Sequence, residues 1–273
     1  MTFDVELVGK IGSMALIRSD ENDMDYNVFA RLGRELRPGM VWVSSGATEI
    51  GRLDYIRRAG QELPECEESK ADYAAQGQTV LMNTYRQFIP QQYAVRQVLV
   101  EHQHFNNPEK REFIRRLLLR AAEQQAVAIV NYNDTVSFEE NRRMELTNLR
   151  DHLDEPVECV DNDETAATIA RLLHARVLLI YSSVKGIYRD PDDPSTLVRH
   201  VLGANPDELI ANVDELQACC NGASRRGANG ASAKLEFIKA PLREGTTVYI
   251  AHPKYAIREV LSGEAPSTRF ALG

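Results

Sequence analysis

The sequence predicts an α/β fold: an open, largely parallel sheet covered on both faces by helices. Three observations predict it. Short apolar runs at residues 40–43, 127–130 and 177–181 read as buried strands. Amphipathic helical segments alternate with them, the clearest at residues 108–125. Polar or glycine-bearing turns follow the strands, at the edge where such sheets bind ligands.

The chain has 273 residues, enough for one large core. No linker or internal repeat divides it, so a single domain over residues 1–273 is expected. The composition, 43% hydrophobic and 26% charged, is that of an ordinary soluble protein. A net charge of −8 argues against nucleic acid as a partner. No apolar run approaches the roughly 20 residues of a membrane span, and no signal-type apolar core opens the chain, so no membrane association is expected. The cysteines (Cys66, Cys159, Cys219 and Cys220) form no C-x-x-C pattern and are expected as reduced thiols in the cytoplasm.

In chain order, residues 3–8 alternate as a strand that ends in Gly9-Lys10-Ile11-Gly12-Ser13, a glycine turn holding a lysine. Glycines let backbone approach phosphate oxygens, and lysine supplies a compact countercharge; a simple edge lysine beside a turn is the plainer alternative. Residues 28–36 suit a helix stopped by Pro38-Gly39. The strand at 40–43 runs into Ser44-Ser45-Gly46-Ala47, whose N–H groups would face an anion if a helix follows. Residues 70–88 read as helix, in which Gln76-Gly77-Gln78 marks either a close contact or a weak point. A strand at 95–100 and the helix at 108–125 precede the buried strand that ends in Asn131-Tyr132-Asn133-Asp134. Residues 139–158 are charged and poorly periodic, which suggests a long excursion, a hairpin or a lid.

Asp161-Asn162-Asp163-Glu164 then opens a helix, followed by the strand at 177–181 and a loop with Gly186. The segment from 192 to 214 reads as loop-rich, with a helix at 213–218. The run from Asn221 to Lys234 is rich in glycine and small residues and enters a helix over 231–242. Lysine in the first turn of a helix opposes the dipole, so Lys234 wants an anion nearby. Residues 247–251 read as the final strand and 257–261 as a short helix.

These motifs, in this order, resemble the amino acid kinase family, and within it the glutamate 5-kinases. The family's K-L-G-[TS] is similar to Lys10-Ile11-Gly12-Ser13, and its V-[ST]-S-G-A-[IV]-x-x-G-R to the stretch from Val43 to Arg52. Its N-E-N-D-x-V resembles Asn131-Tyr132-Asn133-Asp134-Thr135-Val136, and its G-D-N-D-x-L-S-A the stretch from Val160 to Ala167. Its L-L-T-D-x-x-G-L-Y-x-x-D-P resembles the stretch from Ile180 to Pro191, and its G-T-G-G-M-x-T-K that from Gly227 to Lys234. The RNA-binding-like C-terminal extension of many glutamate 5-kinases has no counterpart in the sequence.

The resemblance implies a three-layer αβα sandwich. The phosphoryl acceptor would sit over residues 1–158 and ATP over residues 159–273. It implies Mg²⁺-assisted transfer of the γ-phosphoryl group to the side-chain carboxylate of glutamate, opening proline synthesis, by a cytoplasmic homo-oligomer. Lys10, Asp163 and Lys234 would be catalytic, with Asp163 holding both ammoniums. Gly12, Ser13, Ser182, Ser183, Tyr188, Gly227, Ala228, Asn229 and Gly230 would join the two lysines around ATP. Ser45, Gly46, Ala47, Asp134 and Asn162 would hold the acceptor, and no side chain is assigned to a resident metal.

The chain departs from the family's pattern at four places. Ser182-Ser183 stands for Thr-Asp, Ala228-Asn229 for Thr-Gly, Tyr132 for Glu, and Glu49 for a small residue, the last repulsive to an anionic substrate unless it faces away or pairs with a cation on the substrate. Alternatives to the glutamate reading are a family kinase with another small acceptor and a non-catalytic nucleotide- or metabolite-binding relative.

Overall fold

A computed structural model of the protein describes residues 2–137, 139–150, 156–159, 161–190, 192–220 and 230–273. The chain opens with β1 (Val5–Ile11), a 3₁₀ turn (Ser13–Leu16) and the small pair β2 (Ile17–Arg18) and β3 (Asp23–Met24). Then come α1 (Tyr26–Glu35), β4 (Met40–Ser44), α2 (Ala47–Ala59), α3 (Glu67–Phe88), β5 (Ala94–Val100), α4 (Gln103–Asn106) and α5 (Pro108–Glu123). They are followed by β6 (Ala126–Tyr132), α6 (Glu139–Arg150), α7 (Asn162–Leu172), β7 (Ala175–Tyr181), β8 (His200–Gly203) and α8 (Pro206–Cys220). The last elements are α9 (Ala231–Arg243), β9 (Thr247–Ala251), α10 (Ile257–Leu261) and β10 (Ser267–Leu272).

Eight strands form one sheet in the order β5-β6-β4-β1-β7-β9-β10-β8. Pairing is parallel except between β9 and β10, as the sequence predicts for a mainly parallel sheet. Strand alternation divides the core in two. Val41 and Val43 of β4 and Leu178 and Ile180 of β7 pack with residues of α5, α7, α8 and α9. Met40, Trp42, Val177, Leu179 and Tyr181 pack with residues of α1, α2, α3 and α10. Both faces of the sheet are therefore apolar along these strands, and the result is a three-layer αβα sandwich.

Local chemistry sets the ends of these elements. Asp25 caps α1, accepting from Asn27 N at 3.0 Å and Val28 N at 3.3 Å, so the helix starts at Tyr26 instead of Val28. Asn107 caps α5 with Pro108 in its first turn. The question posed at Gln76-Gly77-Gln78 resolves as a close contact. A Cβ on Gly77 would stand 1.8 Å from the Ala47 carbonyl oxygen, and one on Gly51 1.8 Å from that of Tyr73. α2 and α3 thus cross backbone to backbone, which brings the middle of α3 up against the start of α2.

Several sequence expectations need correction. Lys10 is not in a glycine turn: β1 continues to Ile11, because Lys10 pairs with Val43 on one side and Ile180 on the other. The excursion after β6 contains the helix α6, and its described residues form no hairpin. The segment expected as loop holds β8, and α8 begins at Pro206, with Asp207 and Glu208 in its first turn. Residues 247–251 are not the final strand, since β10 inserts between β9 and β8. Its sequence, STRFAL, lacks a long apolar run, and it is a strand because partners flank it on both sides. Among the described residues no helix is long and apolar enough to cross a membrane.

Candidate active site

The site is built at the C-terminal edge of β1, β4, β6 and β7. Lys10 lies one residue from the end of β1 and is 8% exposed. Its Nζ is 2.7 Å from Asp163 Oδ1, and Lys234 Nζ is 2.9 Å from Asp163 Oδ2. Asp163 is 2% exposed in the first turn of α7, where helix N–H groups favour a carboxylate. The preceding Asp161 caps the helix, accepting from Asp163 N at 2.7 Å and Glu164 N at 3.0 Å, and so fixes the turn that carries Asp163. Burial pushes the Asp163 carboxyl up, but the two ammoniums outweigh it and hold the group below the usual carboxylate range. Two lysines 224 positions apart therefore meet on one buried carboxylate, an arrangement that fixes two cations side by side. Gly12 follows directly, at a point where a Cβ would be 3.5 Å from Lys10 Nζ, and Ser13 opens the 3₁₀ turn.

On the side of β4 and β6 lies a network of amides. Ser45 N donates to Ile11 O at 3.1 Å, and Ser45 Oγ accepts from Asn162 Nδ2 at 2.7 Å. Asn162 Nδ2 also reaches Asn131 Oδ1 at 3.2 Å, and Asn131 Nδ2 donates to Gln78 Oε1 at 3.0 Å. Asn162 Oδ1 and Gln78 Nε2 remain buried without a hydrogen-bond partner among the described residues. A buried acceptor and a buried donor left over at the two ends of one network are costly unless something completes them. Gly46, at φ 107°, makes the left-handed turn that starts α2 at Ala47. Asp134, exposed in the loop after β6, lines a cavity of about 160 Å³ with Thr48, Glu67, Lys70 and Ser137. Glu49 is paired within the chain: Arg52 Nη2 lies 2.6 Å from its Oε1, and the same guanidinium reaches Glu62 Oε1 at 2.6 Å.

On the side of β7 and β9, Ser182 N donates to Ala251 O at 2.8 Å, one residue beyond β7 and level with Gly12 beyond β1. Ser183 is exposed, and Tyr188 is half-buried in an isolated bridge to Leu197. The surroundings are cationic. Burial first, then Lys254, Arg31 and Lys185, push the His252 imidazole below its ordinary value. Gly230 precedes α9, while Gly227, Ala228 and Asn229 lie outside the described residues.

The structure thus brings Lys10, Gly12, Asp163 and Lys234 together, joins Asn162 to Ser45, and sets Asp134 in a neighbouring cavity. Gln78 and Asn131 are polar groups of the site to which sequence reasoning gave no role. An asparagine extending an otherwise apolar strand was a signal for Asn131; the helix pattern offers none for Gln78. Among the described residues no group of three or more His, Cys, Asp or Glu could hold a metal ion.

Comparison with known proteins follows this geometry. A model described as "Amino acid kinase family" matches residues 6–252. The glutamate 5-kinase of Clostridium perfringens (strain 13 / Type A) is 28% identical over 267 residues, covering 95% of this chain and 89% of that protein. That of Dehalococcoides mccartyi (strain CBDB1) is 31% identical over 244 residues, 88% of this chain but only 59% of that protein. Among solved structures, carbamate kinase from Giardia lamblia bound to AMP-PNP superposes with a TM-score of 0.61 at 14% identity, covering 98% of this chain and 99% of that one. UMP kinase from Ureaplasma parvum gives 0.53 at 13%, with 98% and 99% covered. At these identities the two structures bear on the fold alone.

Proposed function

The chain belongs to the amino acid kinase family, and from that premise we propose that it transfers the γ-phosphoryl group of ATP to the side-chain carboxylate of glutamate. The product would be an acyl phosphate, formed in the first step of proline synthesis. Residues up to about 158 would hold the acceptor and those from about 159 the nucleotide. One observation carries the reading: Lys10 and Lys234 are locked on Asp163 at 2.7 and 2.9 Å. Phosphoryl transfer asks mainly for positioning and for neutralisation of charge on the transferring oxygens. Cations already held in place need no reorganisation as that charge moves.

The acceptor needs no base. A glutamate side chain, with a pKa of about 4.3, is already an anion at pH 7. Asp163 accordingly serves as the organiser of the two ammoniums. Gly12 N–H and Ser13 would donate to the transferred group.

An acceptor that carries both an ammonium and a carboxylate suits the amide network, since Asn162 Oδ1 wants a donor and Gln78 Nε2 an acceptor. Ser45 and the N–H groups of Gly46 and Ala47 supply further donors, and Asp134 a countercharge for the ammonium. Phosphate monoesters and phosphonates would leave Asn162 Oδ1 unmatched. Mg²⁺ would enter with the nucleotide as part of the substrate and supply further neutralisation of its phosphate charge. The buried carboxylate of the site is taken up by two lysines, so it is not free to ligate a resident ion. On the nucleotide side, Ser182, Ser183 and Tyr188 would line the ATP site with Lys185 and Lys254 as added cations.

The test is ATP consumption over a panel of amino acids, phosphate monoesters and phosphonates, with hydroxylamine present to trap an acyl phosphate. Hydroxamate formed from glutamate alone is expected. Release of ADP with another acceptor and no hydroxamate overturns glutamate. Nucleotide binding without turnover overturns catalysis.

A further inference from the structure

A second concave site lies on the far side of the C-terminal half, away from the lysine pair. β9, β10 and β8 close that edge of the sheet, and on the α1–α3 face the short helix α10 packs over β9. Beside it is a cavity of about 370 Å³, larger than the one beside Asp134. Arg199, His200 and Arg269 line it, over an apolar floor that includes Tyr249, Val260 and Leu261. Among the described residues no carboxylate lines it. Arg269 pairs in register with His200 of β8 and Tyr249 of β9, and Arg269 N donates to Arg199 O at 3.0 Å, so the two arginines are backbone neighbours. Neither guanidinium has an ion pair with a described carboxylate. Other arginines of the chain do meet an acid, as Arg37 meets Glu6 at 2.6 Å and Arg115 meets Asp4 at 2.8 Å.

Two guanidiniums that line one cavity with no acid among its described lining leave their charge uncompensated there, and their fork geometry matches carboxylate or phosphate oxygens. A concave wall of this kind, part apolar and part convergent cation, has the make-up of a small-molecule site. We propose that this cavity binds a small organic anion, its carboxylate or phosphate held by Arg199 and Arg269 and its apolar body resting on Tyr249, Val260 and Leu261.

The same strands connect it to the loop after β7. Thr268, next to Arg269, accepts through Oγ1 from Ile187 N at 2.7 Å. Val198, next to Arg199, donates from its N–H to Ile187 O at 2.9 Å. The backbone of Ile187 is thus held from both sides by the immediate neighbours of the two arginines, and Tyr188 follows it. An anion that orders Arg199 and Arg269 tightens the loop that carries Ser182, Ser183 and Tyr188. This coupling, unlike the binding itself, rests on the reading of that loop as the nucleotide side.

Phenyl phosphate and benzoate are suitable probes, alike in body and different in charged group, and their binding to the full chain is read by calorimetry. At least one should bind wild type, at least tenfold tighter than it binds Arg269→Gln or Arg199→Gln; which one does so identifies the anion class. If one variant fails to fold, the other decides. Equal affinity for wild type and both variants, or no binding of either probe to wild type, overturns the proposal. For the coupling, saturating probe should change the dissociation constant for ATP at least twofold in wild type and leave it unchanged in Arg269→Gln. An unchanged constant in wild type removes the coupling. Failure of the glutamate kinase assay would leave the probe result standing, so the two ideas fall separately.

Discussion

The two sides of the site are built on different principles. On the side proposed for the acceptor, from Ser45 to Gln78, buried and part-buried polar groups are joined in one hydrogen-bonded row. On the side proposed for the nucleotide, Ser183 and Lys185 are exposed, and Lys254, Arg31 and Lys185 are the charges that depress the His252 imidazole. Rigid amides read the shape and polarity of a small ligand, because an unmatched buried group costs about 1–3 kcal/mol. Exposed cations attract a polyanion with little demand on its shape. If the proposed assignment of the two sides holds, selectivity should be concentrated at the acceptor, and the nucleotide side should tolerate substitutions such as Ser182-Ser183 for Thr-Asp.

The largest expected effect comes from the residue that both sides share. Asp163→Asn leaves two lysines without their buried countercharge, a loss of about 3–5 kcal/mol by analogy with other broken buried pairs. Chemical denaturation measures it, and an unchanged midpoint would show that the lysines relax into solvent. pH dependence follows from the same pair. The folded carboxyl lies below its unfolded value, so acidification protonates the unfolded chain first. The Asp163 contribution is full above the unfolded pKa of about 3.9 and is lost as pH falls through the folded value. Wild type should therefore lose its stability advantage over Asp163→Asn in acid, in a pH series of denaturation midpoints.

Next comes the chemistry. Lys10→Ala or Lys234→Ala should lower kcat at least a hundredfold, about 2.7 kcal/mol of transition-state stabilisation, with the fold retained. Near-normal turnover in either variant would remove the paired-cation mechanism.

The smallest effect separates the two sides. Gln78→Ala should raise KM for glutamate about tenfold with KM for ATP unchanged, whereas Ser183→Asp should move only KM for ATP, by a few-fold. If either substitution moved both constants together, the division between a shape-reading side and a charge-reading side would be wrong.

Much of this was legible in the chain itself. The strands at β4, β6 and β7 announce themselves because each is buried on both faces and so is apolar throughout. α5 and α7 carry their caps, Asn107 and Asp161, directly before the first turn. β10 and β8 were not legible, since neither has a strand-length apolar run and each is stabilised by its neighbours in the sheet. α6 is charged along its length, and its hold on the core includes Glu145 at 3.0 Å from the buried His102, a partner 43 positions away.

The sequence by itself determined the layered α/β class and picked out the residues proposed to carry the reaction, because both follow from local pattern: apolar periodicity for the layers, and short ordered motifs for Lys10, Asp163 and Lys234. Only the tertiary structure decided that Lys10 is a strand residue, that Gln78 completes the row from Ser45, and that Arg199 and Arg269 stand together without an acid. Each of these depends on partners brought in from distant parts of the chain. Gln78 reaches Asn131 because Gly51 and Gly77 let two helix backbones touch; the local signal at Gly77 left a close contact and a weak point open and could not name the partner helix.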